Sequence, residues 1–183
     1  QLLPSVEALR YGLLQNQLSN LSFTFKTTGP RVAIVGGMID PVGIAVLFEN
    51  AKMNTEIENA EIVFDCLSFT FRTVFTSPPS LQGDPYFQLA NSLLAAPKEP
   101  TQEGLPDRLQ YLEAVLKNFQ IDGLIICKQS FCDPDQFEIP DTLKLAEALK
   151  IRTVRLPLDP ELSDRVRIEG RLQSFLETLS IKH

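Results

Sequence analysis

The chain has 183 residues, 44% hydrophobic and 22% charged, the proportions of a folded globular protein and not of a disordered one. Its 23 acids against 17 bases leave a net charge of −6, the wrong sign for a free-standing nucleic-acid binder. Three cysteines and one histidine, the terminal His183, exclude a disulfide scaffold, a serine-protease-type triad and a histidine-rich zinc site.

In chain order, Val6, Leu9, Leu13, Leu14 and Leu18 follow Pro4-Ser5 at helical spacing and predict a helix over 4–18. The first residue is Gln1 and not Met. Residues 1–30 are therefore expected to be a helix and connection from a missing upstream domain, with a single Rossmann-like domain over 31–183. Arg31 to Val35 is a short apolar run ending in Gly36-Gly37, which reads as a buried parallel strand followed by a tight turn. Residues 42–51 read as a helix after Asp40-Pro41, and residues 60–65 as a second strand ending in an acid. The stretch from Ser77 to Pro106 carries six prolines around one helical patch over 86–96, an elaborated connection with apolar periodicity on both sides. Leu109, Leu112, Leu116 and Phe119 mark an amphipathic helix, and residues 122–127 a third strand. Asp141 is expected to cap a helix through Leu149. A fourth strand over 152–158 precedes a last helix opened by Ser163, with Ile168, Leu172, Phe175 and Leu179 inward.

Apolar runs alternating with amphipathic helices predict an α/β fold, a flavodoxin- or Rossmann-like three-layer sandwich with a parallel sheet of about four strands. Ligands of such sheets gather at the carboxyl ends of the strands, and Cys66, Cys127 and Cys132 all fall on that edge. Gly36-Gly37 lacks the continuation of either common phosphate-binding loop, and no lysine sits nearby, so a turn needing glycine geometry is preferred over a phosphate cradle. Cys127 and Cys132 are spaced C-x4-C. Cys127 continues an apolar strand and reads as a buried structural thiol. Cys132, in a polar loop before Asp133-Pro134, is a candidate metal ligand, while Cys66 reads as either buried or exposed, with a ligand role the lesser alternative. Asp65 and Asp159 are acid–base candidates or helix caps, and Arg165, Arg167 and Arg171 either a solvated face or an anion contact. No apolar run reaches the ~18 residues needed to span a bilayer. With no secretory signal pattern and an odd cysteine count, a cytoplasmic protein without membrane or nucleic-acid partners is expected.

The loop from Lys128 to Pro134, with Glu138 and Pro140 after it, lies between Asp122-Gly123-Leu124-Ile125 and the final Arg171 to Glu177 stretch. Together they resemble the 2-hydroxyacyl-CoA dehydratase and benzoyl-CoA reductase D-component family. That family has a D-G-[VI]-I strand, an F-C-D-P loop and an R-[IV]-E-A-F-[LI]-E helix. The Arg31 to Gly36 strand, Glu49, the Asp65 to Arg72 segment, Asp84-Pro85 and Arg108 fit further family positions, so the resemblance covers about residues 31 to 180. It implies the C-terminal domain of a radical enzyme subunit with a [4Fe–4S] cluster, an acyl-CoA substrate, a paralogous second subunit or homodimer mate, and an ATP-dependent activator protein. Cys132 then matches the position of a cluster ligand. Ser68 stands where the family has cysteine and Thr70 where it has glycine, with Cys66 out of register. The ligand set of this chain is therefore expected to be incomplete and the isolated chain inactive. The alternative reading is a non-catalytic flavodoxin-like scaffold that has lost the cluster, and a third is an acyl-CoA binding domain using Arg165 to Arg171.

Overall fold

The computed structural model describes residues 28–57, 59–68, 79–96, 98–102, 104–159 and 161–180. The helix expected over 4–18 lies outside them. In chain order the elements are β1 (Arg31–Val35), α1 (Pro41–Met53), β2 (Glu61–Cys66), α2 (Pro85–Leu94), α3 (Leu105–Asn118), β3 (Gly123–Gln129), α4 (Asp133–Ala148), β4 (Arg152–Leu158) and α5 (Arg165–Ser180). The four strands form one sheet in the order β2-β1-β3-β4, with every pairing parallel. This is the α/β three-layer, flavodoxin- or Rossmann-like architecture that the alternation of apolar runs and amphipathic helices predicts.

The described residues fall into two compact units. One contains α2, whose start is fixed by Asp84, which accepts the Phe87 N–H at 2.9 Å, and by Pro85 in the first turn. The other contains the sheet and the remaining helices.

Within the sheet unit, the period-two alternation of each strand feeds two separate cores. Val32 and Ile34 of β1, with Ile125 and Cys127 of β3 and Leu156 and Leu158 of β4, pack against α1 and α5. Ala33, Leu124 and Ile126 point the other way, toward Leu112, Val115 and Leu116 of α3 and Ile139 and Ala146 of α4. Strands covered on both faces have no polar side to show, which is why β1 and β3 read as unbroken apolar runs. A register shift against β1, between Val32 and Ala33, puts Val63 and Phe64 of β2 in the same core. Gly123 opens β3 without a side chain because a Cβ there would lie 2.7 Å from the Phe175 ring.

Two connections are built alike. After α3, Gln120 takes φ 51° and the N–H groups of Gln120 and Ile121 return to the carbonyls of Lys117 and Leu116. After α4, Lys150 takes φ 58° and the N–H groups of Lys150 and Ile151 return to Glu147 and Ala146. Both are left-handed helix endings with paired return bonds, closed by an isoleucine that starts the descent into the next strand.

Two boundaries differ from the sequence expectation. Helix α4 starts at Asp133, eight residues before the expected cap at Asp141, and Pro140 lies inside it. Asp133 and Pro134 suit a first turn, which has no intrahelical use for the proline N–H. Pro140 forgoes only one helical bond, that to the Gln136 carbonyl. Asp141 is then a helix-face residue paired with Lys144 at 2.9 Å. The last helix starts at Arg165, two residues later than expected.

Strand β4 is the outer strand on its side of the sheet. Its Arg155 carbonyl accepts from the Arg171 guanidinium at 3.0 Å, and Pro157 within it has no N–H to offer.

Leu172 of α5 is fully buried, with 0% exposure, whereas Val166 on the same helix is 84% exposed. Leu172→Ala is expected to cost ~2–5 kcal/mol of unfolding free energy through lost burial and a residual cavity. Val166→Ala is expected to stay within ~0.5 kcal/mol, as surface changes do. Urea denaturation of the two variants checks the pair.

Candidate functional site

The carboxyl ends of β1, β2 and β3 meet at one peptide. After β1 the chain runs through Gly36 and Gly37. Neither glycine is among the described residues with positive φ, so the expected need for turn geometry is not why they are there. The reason is space. A Cβ on Gly36 would lie 2.9 Å from the Cys127 carbonyl oxygen, and one on Gly37 would lie 2.8 Å from both carboxylate oxygens of Asp135. The Gly37 N–H donates to the Asp135 carboxylate, and its carbonyl accepts from the Ser68 N–H at 3.2 Å and the Ile39 N–H at 3.1 Å. One residue thus ties the ends of β1 and β2 to the first turn of α4.

The β3 side is shaped by a strained turn. Ser130 N–H bonds to the Leu158 carbonyl at 2.8 Å, continuing the β3–β4 ladder one residue beyond β3. Phe131 then adopts φ 65°, a left-handed conformation that a bulky residue rarely takes, and is 99% exposed. This turn delivers Cys132 to the N-cap of α4, with its N–H on the Gln129 carbonyl at 3.3 Å. Asp135 sits three residues on, the spacing at which a capping residue and a third-position acid face each other.

Asp135 is only 7% exposed. Burial pushes its carboxyl above the ordinary range, while the Cys132 thiol and the N–H groups of Gly37 and Gln129 pull it back. Its Oδ2 is buried without a hydrogen-bond partner. Burial likewise pushes the Cys132 thiol up. The Asp135 N–H opposes this, and the carboxylates of Asp135 and Asp133 add to it.

The three cysteines do not converge. Cys127 is in the core beneath α1 and α5, its thiol pushed up to about 12 by burial, as expected of a structural thiol. Cys66 packs against the opposite core and is also pushed up to about 12, by burial and then by the Asp65 charge. Among the described residues no group of three or more His, Cys, Asp or Glu side chains could hold a metal ion. Among the described residues Cys132 therefore offers at most a single thiolate to a metal group, short of the several ligands that an iron–sulfur cluster takes.

Other sequence candidates resolve into structural roles. Asp159 accepts the Ser163 N–H at 2.8 Å, which holds its carboxyl below the usual range and ties the turn before α5. Asp65 has its Oδ1 at 3.4 Å from the Leu67 N–H. Arg167 pairs with Asp164 at 2.6 Å and Arg171 serves the β4 edge. Glu49 pairs with Lys52 at 2.8 Å. Thr70 and Arg72 lie outside the described residues.

One ion pair unites two residues that stand 30 positions apart in the chain. Arg108 of α3 pairs with Glu138 of α4, their side chains 12% and 17% exposed, and also donates to the Gln102 carbonyl at 2.7 Å. Glu138 lies one turn beyond Asp135, so this pair braces the helix that carries Cys132. Burial lowers the Arg108 pKa, and the Asp107 charge opposes that shift.

A family model described as 2-hydroxyglutaryl-CoA dehydratase, D-component, matches residues 6–179. The chain is 24% identical over 157 residues to lactoyl-CoA dehydratase subunit beta of Anaerotignum propionicum, covering 82% of this chain and 39% of that protein. It is 26% identical over 144 residues to the (R)-phenyllactyl-CoA dehydratase beta subunit of Clostridium sporogenes, covering 79% and 38%. Over 72 residues it is 31% identical to (R)-2-hydroxyglutaryl-CoA dehydratase, subunit beta, of Acidaminococcus fermentans, covering 39% and 19%. The chain thus spans about two fifths of the length of the first two relatives.

Two stability measurements bear on this edge. Arg108→Ala is expected to cost about 3 kcal/mol by leaving Glu138 half-desolvated and alone, and Arg108→Met with Glu138→Leu much less. A double-mutant cycle by urea denaturation reads the difference. Asp65 has a folded-state pKa above its ordinary 3.8, so the folded chain holds that proton longer than the unfolded chain does. Stability from this group therefore falls as pH rises from about 4 through the folded value, and Asp65→Asn is expected to flatten that slope in urea midpoints measured across the window.

Proposed function

The chain belongs to the 2-hydroxyglutaryl-CoA dehydratase D-component family, and on that premise we propose that it is part of an acyl-CoA dehydratase subunit. In this reading Cys132 lends one thiolate to a [4Fe–4S] cluster whose other ligands come from outside the described residues. The observation that carries it is the placement of Cys132. It is the cysteine set at the N-cap of a helix on the ligand-binding edge of the sheet, while Cys127 is folded into one core and the half-buried Cys66 packs against the other.

The cluster, when bound, supplies low-potential one-electron chemistry to an acyl-CoA thioester, which makes loss of the hydroxyl group feasible. This chain's own residues hold the edge that faces it. The Gly37 peptide joins the β1 and β2 ends, the Phe131 turn presents Cys132, and the Arg108–Glu138 pair braces α4. The relatives named as beta subunits support a partner subunit for this chain, and an ATP-dependent activator would deliver the electron.

A second reading, a scaffold that has lost the cluster, is favoured by Ser68 at the position where the family carries cysteine and by the lack of a metal-holding group among the described residues. One experiment separates the two. Full-length protein purified without oxygen, with its partner subunit, is expected to be brown and to contain iron, and Cys132→Ala to lose colour and iron together. A colourless, iron-free wild type selects the scaffold.

A further inference from the structure

We propose that Asp135 and Gly37 form a matched pair that positions Cys132, the carboxylate occupying the space that the glycine leaves by having no Cβ. The inference rests on the reading of Cys132 as a cluster ligand and adds residues to that site.

Three observations meet here. First, a Cβ on Gly37 would stand 2.8 Å from Oδ1 and 2.8 Å from Oδ2 of Asp135, so the carboxylate would have to leave its present position to admit a methyl. Second, the carboxylate takes the N–H groups of Gly37 and Gln129 and contacts the Cys132 thiol, which fastens the β1 end and the β3 end to the turn that bears the sulfur. Third, Oδ2 is buried with no partner, in a side chain only 7% exposed. A carboxylate chosen only to cap a helix would keep both oxygens satisfied or wet. Keeping one buried and unsatisfied costs stability, which points to a role for this side chain toward its neighbours beyond capping. The neighbour that sequence and structure both single out is Cys132. Its loop is already under strain at Phe131, whose φ of 65° needs a tie to persist.

Asp135 is thus a positioning residue that acts through Cys132, and Gly37 is its complement. The test uses full-length protein purified without oxygen with its partner. Variants are Asp135→Asn, Asp135→Ala, Gly37→Ala, the Gly37→Ala/Asp135→Ala double variant and Cys132→Ala. Iron content, the electron paramagnetic resonance signal of the reduced protein and the melting temperature are read on each. Asp135→Ala and Gly37→Ala are expected to shift the resonance signal and lose iron. Asp135→Asn, which keeps an oxygen for the two N–H groups, is expected to restore both. The double variant is expected to be no worse than either single one, because the added methyl fills the vacated space.

A wild-type signal and iron content in both Asp135→Ala and Gly37→Ala would overturn the pairing. So would simple addition of their losses in the double variant. So would a loss that tracks melting temperature alone, with Asp135→Asn failing to rescue. If Asp135→Ala does not fold, Asp135→Asn and Gly37→Ala still decide, since the pairing requires the first to hold iron and the second to lose it. Iron retained in Cys132→Ala would instead overturn the ligand reading beneath it, a result read on a different variant.

Discussion

The parallel pairing of β1 with β3 is the constraint on which the rest depends. Val32 to Val35 lie beside Gly123 to Ile126, with successive side chains entering opposite cores. Because the strands run the same way, both finish at one edge, and whatever follows them is brought side by side without further design. The helices that cover each face are the return paths that parallel strands require. Burial on both faces also fixes register, since a slip of one residue would exchange the two cores. A pair of bonds reinforces the alignment at the opposite end, where the Arg31 N–H donates to the Asp122 carboxylate at 2.8 Å and the Asp122 N–H to the Arg31 carbonyl at 2.8 Å.

At the carboxyl edge the chemistry is governed by how closely backbones approach. Gly36 lies against the Cys127 backbone and Gly37 against the Asp135 carboxylate, so the β1 turn is drawn flush onto β3 and α4. The Cys132 sulfur at the N-cap of a 16-residue helix has the Asp135 N–H beside it, which favours a thiolate, and two nearby carboxylates, which do not. In this chain burial and the carboxylates prevail, and the thiol is held above its ordinary range. A positive group arriving at this edge would reverse the balance, since a coordinating metal displaces the proton outright.

Sequence carried the sheet well, because a run such as Leu124-Ile125-Ile126, bounded by Gly123 and a polar loop, is what a doubly covered strand produces. It carried Cys132 as the distinctive thiol because that cysteine sits among polar residues. The start of α4 was illegible because Pro140 looks like a terminator and Asp141 like a cap, while the true signal, Cys132 with Asp135 three residues later, uses a sulfur where Ser or Thr is customary. The role of Gly37 was illegible for a different reason. A glycine in sequence advertises backbone freedom, and here its value is the absence of a methyl against the distant Asp135 side chain, which only the assembled fold defines. The Arg108–Glu138 pair is of the same kind, joining two helices across a strand.

The outer margin of β4 bears on how such a molecule behaves at high concentration. An open strand margin is a template onto which another chain can crystallise its own backbone, the first step toward fibrous deposits. Here the template is defaced at two of its rungs, by the Arg171 guanidinium seated on the Arg155 carbonyl and by a proline that offers no hydrogen. Among the described residues β4 thus ends the sheet on a margin that is poor at accepting another strand.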